Sequence, residues 1–199
     1  MSQKDRTIPY FGQHSIIALG SNMALGDVSP IGILGAAIRE LGHEGLRLRR
    51  LSRFYSTPCF PPGAGPDYVN AAALIAPERD GYTPEEILAA LHRIEARFER
   101  RRERRWASRT LDLDLIAAGD AVRPDRATWE DWRDLTLGEQ QRLAPGELIL
   151  PHPRLADRAF VLVPLADIAP GWRHPVTDLS VTEMLAALGP GARAEITPF

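Results

Sequence analysis

The run Arg109-Thr110-Leu111-Asp112-Leu113-Asp114-Leu115 sets two carboxylates one residue apart among leucines. In a strand, alternate residues share a face about 6.8 Å apart, so Asp112 and Asp114 project together while the leucines enter a core. Carboxylates held side by side repel and are costly to desolvate unless a cation lies between them. Hard, oxygen-preferring Mg²⁺ suits such a pair, and two ions about 3.5–4 Å apart can share it. A solvated acidic face on an amphipathic strand would show the same alternation, so the pair alone does not decide. Its surroundings add weight. Residues 93–109 hold eight arginines (93, 97, 100, 101, 102, 104, 105 and 109) against Glu95, Glu99 and Glu103. That is a net charge of +5 in a chain whose total is −2. Guanidinium forks match phosphate oxygens bidentately, so arginines beside a Mg²⁺ site suit a polyphosphate tail. Glu–Arg pairs on a solvated helix face compete with that reading, but the arginines outnumber the acids.

Further residues have suitable chemistry. Glu95 sits at the edge of a buried helical stripe, either as a paired core group or as a ligand contact, and His92 lies one position off that stripe. His152 is held between Pro151 and Pro153, with Arg158 and Phe160 soon after, a second possible phosphate clamp. Tyr68 and Asn70 share a strand face, where a ring and an amide would suit a flat heteroaromatic ligand.

The elements that must position these residues follow from pattern. Ser15–Leu19 reads as a buried strand that stops at Gly20-Ser21-Asn22. Ser29-Pro30 starts a helix whose apolar face is Ile33, Leu34, Ala37, Ile38 and Leu41. Residues 46–57 read as one half-exposed strand, and four prolines and two glycines keep 58–66 irregular. Tyr68–Ala76 returns to strand character. Thr83-Pro84-Glu85-Glu86 opens a second helix with cap, first-turn proline and acids. The order β-α-β-β-α-β predicts an α+β, ferredoxin-like α/β/α sandwich around a central antiparallel sheet. A polar surface insertion spans about 120–147, with a helical signal around 129–142, and a last short helix falls at 181–188.

Composition excludes other classes. The chain has 199 residues, 44% hydrophobic and 25% charged, which suits one domain over 1–199 with its core at about 15–175. Cys59 is the only cysteine, so no internal disulfide or cysteine-based zinc site is expected. No apolar run approaches the roughly 20 residues of a membrane span, and Met1–Gln13 lacks a signal-peptide core. A cytoplasmic enzyme or binding domain is expected. The acidic remainder of the chain argues against nucleic acid as a partner.

Several segments together resemble the 6-hydroxymethyl-7,8-dihydropterin pyrophosphokinase family of folate biosynthesis. They are Ala18-Leu19-Gly20-Ser21-Asn22, Phe54-Tyr55-Ser56-Thr57-Pro58, Asp67-Tyr68-Val69-Asn70-Ala71-Ala72, Arg105-Trp106 with Arg109–Asp114, and Leu150-Pro151-His152-Pro153-Arg154-Leu155. They stand in the family's order over about residues 15–175. The resemblance implies transfer of pyrophosphate from ATP to the hydroxymethyl group of the reduced pterin, releasing AMP. It implies that Asp112 and Asp114 bind two Mg²⁺, and that Arg100 and Arg102 belong to a mobile catalytic loop, with Arg109 also catalytic. ATP contacts are implied for His92, Glu95, Arg105, Trp106, Arg109, His152 and Arg158. The pterin pocket is implied at Thr57, Pro58, Phe60, Tyr68, Asn70, Trp106 and Phe160, with Tyr68 and Phe160 sandwiching the ring. The chain departs from the family at His92 (usually glutamine), Cys59 (often a second proline), Glu99 (usually glycine) and in the enlarged connection 124–147. A monomer without a second folate-pathway domain is expected. Two alternatives use the same residues: a Mg²⁺-dependent nucleotide hydrolase, and an RNA-binding ferredoxin-like domain using residues 97–109.

Overall fold

The computed structural model describes residues 14–59, 65–79, 81–98 and 110–199. Its sheet contains β1 (Ser15–Ser21), β2 (Leu46–Leu51), β3 (Tyr55–Thr57), β4 (Tyr68–Pro77), β5 (Asp112–Ala118) and β6 (Thr197–Pro198). The strands run β5-β1-β4-β3-β6, with β2 also paired to β4, and every pairing is antiparallel. With α1 (Pro30–His43) after β1 and α2 (Pro84–Arg97) after β4, this is the expected ferredoxin-like order. The expected single strand over 46–57 is interrupted, however, into β2 and β3. At the break Ser52 N–H donates to the Ala72 carbonyl, and Ala72 N–H donates to Ser52 Oγ, both at 2.9 Å. A hydroxyl there replaces one rung of the backbone ladder.

Alternation along the strands builds two cores. Ile17, Leu19, Ala71, Ala73, Ile75, Leu113 and Leu115 pack on Ile33 and Leu34 of α1 and Ile87, Leu91 and Ile94 of α2. On the other face Ile16, Ala72, Leu74 and Ile116 pack on α5 (Ala159–Ile168) and α6 (Val181–Ala187). β4 is buried on both sides, which explains its near-continuous apolar run. Ser29 and Thr83 cap α1 and α2 as expected, and Thr83 with Glu86 completes a capping box.

Two of the clustered arginines have a structural task. Arg97 bonds Glu40 (2.6 Å) and Glu44, and Arg93 bonds Glu44 (2.8 Å). They tie α2 to α1, so their charge is matched by Glu40 and Glu44.

The insertion contains α3 (Arg126–Asp134) and α4 (Leu137–Arg142), two helices where the pattern suggests one signal. It lies outside the sheet but is anchored. Arg123 and Leu150 exchange backbone hydrogen bonds at its ends, and Trp129, only 2% exposed, packs with Ile149, Val176, Val122 and Trp132. The chain then closes through α5, α6 and α7 (Gly189–Ala194). Among the described residues, no helix is long and apolar enough to cross a membrane.

Candidate active site

Asp112 and Asp114 lie on β5 with half-buried side chains, while Leu113 and Leu115 enter the core between α2 and the sheet. Both aspartates thus face the α5 side, as the alternation predicts. Register places their neighbours: Gly20 of β1 stands opposite Asp112 on one side and Asn70 of β4 on the other, and Ala18 stands opposite Asp114. Neighbouring strands are about 4.8 Å apart, so Asp112 and Asn70 are about 10 Å apart across the missing side chain of Gly20. A Cβ at Gly20 would lie 3.0 Å from Asn70 Oδ1, 3.9 Å from Asp112 Cβ and 3.9 Å from Tyr68 Cδ1. The glycine therefore forms an open floor between the carboxylates and the Tyr68–Asn70 unit. A glycine inside a strand often marks such a close approach.

Asn70 is oriented by its neighbour. Its Nδ2 donates to Thr57 Oγ1 at 2.6 Å, and both residues are buried. That bond turns the amide oxygen toward Gly20. Pro58 is exposed beside it, Cys59 is buried, and Tyr68 is half-buried.

The other wall comes from the segment after the insertion. His152 N–H donates to the Ile116 carbonyl of β5 at 2.7 Å, which fastens this loop to the aspartate strand. Its ring Nδ1 accepts from Arg154 N–H at 3.1 Å. Burial, then the charge of Arg158, holds the imidazole well below its usual pKa, although Asp112 acts in the opposite sense. The ring is therefore neutral near pH 7, with its proton on Nε2. Arg158 donates to Asp114 Oδ2 at 3.2 Å, and its guanidinium lies 5.7 Å from the ring centre of Phe160, which is 40% exposed.

Glu95 bonds to the aspartate strand. It is 1% exposed on α2, and its Oε1 accepts from Leu113 N–H at 2.9 Å. It thereby pins the backbone between the two aspartates from the opposite face of the sheet. His92 is exposed on α2. Phe60, Arg100, Arg102, Arg105, Trp106 and Arg109 lie outside the described residues.

Two residues that spacing does not single out also matter. Ser21 Oγ donates to the Thr110 carbonyl (2.6 Å) and Asn22 Nδ2 to the Pro66 carbonyl (3.1 Å), both from buried positions at the end of β1. They hold the points where the chain re-enters the sheet after residues 99–109 and 60–64. The signals for them in the sequence are small polar residues following a strand-ending glycine and their place in the Ala18–Asn22 segment.

As a metal site, the donor set is two carboxylates. Among the described residues, no group of three or more His, Cys, Asp or Glu side chains converges. Two hard oxygen donors leave most of an octahedral shell to water and phosphate oxygens, which fits Mg²⁺ and not an all-protein cage.

Comparisons with known proteins bear on the family. Residues 16–170 match the model of the 7,8-dihydro-6-hydroxymethylpterin-pyrophosphokinase (HPPK) family. A 2-amino-4-hydroxy-6-hydroxymethyldihydropteridine pyrophosphokinase of Synechocystis is 34% identical over 86% of this chain and 74% of its own. The Haemophilus influenzae protein of the same name is 31% identical over 92% and 97%. Among solved structures, Plasmodium falciparum HPPK-DHPS with pterin and p-hydroxybenzoate superposes with a TM-score of 0.61 at 12% identity. That match covers 93% of this chain and 44% of the larger protein, and it shows a shared fold. With the family pattern covering most of its length, this chain belongs to the 6-hydroxymethyl-7,8-dihydropterin pyrophosphokinase family.

Proposed function

We propose that this chain transfers pyrophosphate from ATP to the hydroxymethyl group of 6-hydroxymethyl-7,8-dihydropterin, giving AMP and the pterin diphosphate for folate biosynthesis. The pterin hydroxyl oxygen bonds to the β-phosphorus, the bond from that phosphorus to the α,β-bridging oxygen breaks, and the hydroxyl proton is lost. Family membership supports the reaction class. The observation that carries the site reading is the Gly20 floor, which leaves the carboxylate pair and the Tyr68–Asn70 unit open to one another on a single sheet face.

In this reading Asn70 presents its carbonyl oxygen to ring N–H groups of the pterin, held there by Thr57. Tyr68 and Phe160 flank the ring, with Pro58, Phe60 and Trp106 completing the pocket. His152, neutral and protonated on Nε2, donates to a phosphate oxygen, and Arg158 adds positive charge beside Asp114. Asp112 and Asp114 would hold two Mg²⁺ ions. When bound, these ions supply charge neutralisation along the triphosphate and polarise the transferred group. Arg100, Arg102, Arg105 and Arg109 absorb charge that develops on the transferred group, His92 belongs to the nucleotide side, and Glu95 serves that side through its bond to Leu113 N–H. Phosphoryl-type transfer depends mainly on such positioning and electrostatics, so no covalent nucleophile is required. We further propose a monomer working in the cytoplasm without nucleic acid.

The test is pterin dependence. With ATP, Mg²⁺ and the reduced pterin, AMP forms only when pterin is present. A nucleotide hydrolase would release AMP or ADP without it. An RNA-binding domain would retain salt-dependent RNA binding after Asp112→Asn and gain nothing from Mg²⁺.

A further inference from the structure

We propose that Trp129, contributed by the insertion, is a positioning residue that sets the placement of His152 on the nucleotide side of the site. The inference rests on the reading of His152 as a phosphate contact. An indole N–H is a donor with no acceptor role, so a buried one needs a partner. Trp129 Nε1 donates to the Pro151 carbonyl at 2.6 Å, across 22 residues of chain. That carbonyl shares its peptide group with the N–H of His152, which donates to Ile116 of β5 at 2.7 Å. A peptide group is planar, so fixing both of its polar ends fixes its plane. The plane in turn sets the direction in which the His152 side chain leaves the backbone. The ring is then oriented by Arg154 N–H at Nδ1. One end of the plane is thus anchored to the strand that carries Asp112 and Asp114, and the other to the insertion.

The anchor is itself immobilised. Trp129 packs with Ile149, Val176, Val122 and Trp132, meets the His174 ring at 5.0 Å, and carries Arg133 over its face at 5.4 Å. Partners bonded directly to the ring of a metal-ligating histidine typically change affinity or activity by about 10–100-fold when lost, and a partner of the adjoining peptide group falls at the lower end of that scale.

Trp129→Phe keeps an aromatic ring and deletes the donor. The expected result is a rise of about tenfold in KM for ATP, equivalent to about 1.4 kcal/mol. KM for the pterin should stay within about twofold, because the Asn70 side of the floor shares none of these bonds. The ¹⁵N signals of the His152 imidazole should also move away from a single Nε2–H tautomer. Ile33→Val and Leu41→Ala, in the core beneath α1 and apart from the Trp129 contacts, should lower thermal stability without moving either readout. If Trp129→Phe only loses stability as these controls do, with KM for ATP and the His152 signals unchanged, the proposal is overturned. Should the phenylalanine variant fail to fold, β-(3-benzothienyl)alanine at 129 keeps the two-ring bulk without the N–H and makes the same comparison. His152→Ala separates the two levels. If it leaves KM for ATP unchanged, the phosphate role of His152 fails, while the ¹⁵N signals still decide whether Trp129 positions the ring.

Discussion

Replacing Gly20 by alanine puts one methyl group on the floor that joins the two halves of the site. The methyl would lie 3.0 Å from Asn70 Oδ1, tighter than ordinary van der Waals contact, whereas its 3.9 Å approach to Asp112 Cβ is unremarkable in size. Asn70 must therefore retreat by a few tenths of an ångström. It is 7% exposed, and a 2.6 Å bond ties it to Thr57, so that movement strains a hydrogen bond worth about 1 kcal/mol. Displacing a positioning group can also cost up to about 10²-fold in rate. Stability should change little, because alanine in a strand recovers about 0.5–1 kcal/mol relative to glycine and offsets part of the contact. The expected outcome is a fall of about 10–100-fold in kcat/KM for the pterin, a change of less than about threefold in KM for ATP, and a melting temperature within a few degrees of the parent. Steady-state kinetics with each substrate varied in turn, alongside calorimetry, measures all three. An unchanged kcat/KM for the pterin would refute the floor as the link between the two halves.

Three other perturbations probe the surroundings. Asp114→Asn should lower kcat by about 10²-fold or more without loss of melting temperature, since its carboxylate is half-exposed on β5 and paired at its edge, among the described residues, with Arg158; a large stability loss would make it structural. Glu95→Ala removes the acceptor of a buried N–H, at a cost of about 1–3 kcal/mol, so the melting temperature should fall by about 3–10 °C. Glu95→Gln, which keeps the acceptor oxygen, should lose less. His174, 3% exposed, has its pKa lowered to about 4 by burial. Its unfolded form takes up a proton below about 6.5 while the folded form resists, so its contribution is complete above pH 6.5. It is lost as pH falls toward 4, about 3 kcal/mol in all. Urea unfolding between pH 7 and 5 should show about 2 kcal/mol of that loss, and His174→Asn should flatten it; an equal slope in both proteins would remove His174 as the cause.

How far the sequence alone reached follows from the range of each interaction. The aspartate strand was readable because period-two alternation and a leucine core are local, and the start of α2 because Thr83, Pro84 and Glu86 stand within one turn. The break between β2 and β3 was not, because it depends on Ser52 meeting Ala72 across the sheet. The arginine cluster misled in part for the same reason. Arg93 and Arg97 find Glu44 at 49 and 53 residues' separation, which charge counting along the chain does not see. Gly20 gained its meaning only from the register that sets Asp112 and Asn70 on either side of it. The insertion could be delimited by its polarity, but the reach of Trp129 to Pro151 required the fold.

The central claim is that one sheet face brings a triphosphate and a pterin hydroxyl together for a pyrophosphate transfer. The most direct measurement is ³¹P NMR of ATP, Mg²⁺ and 6-hydroxymethyl-7,8-dihydropterin with the enzyme. The account predicts AMP and a pterin-linked diphosphate appearing one for one, with no ADP and no reaction when the pterin is left out. Accumulation of ADP, or AMP release independent of the pterin, would contradict it.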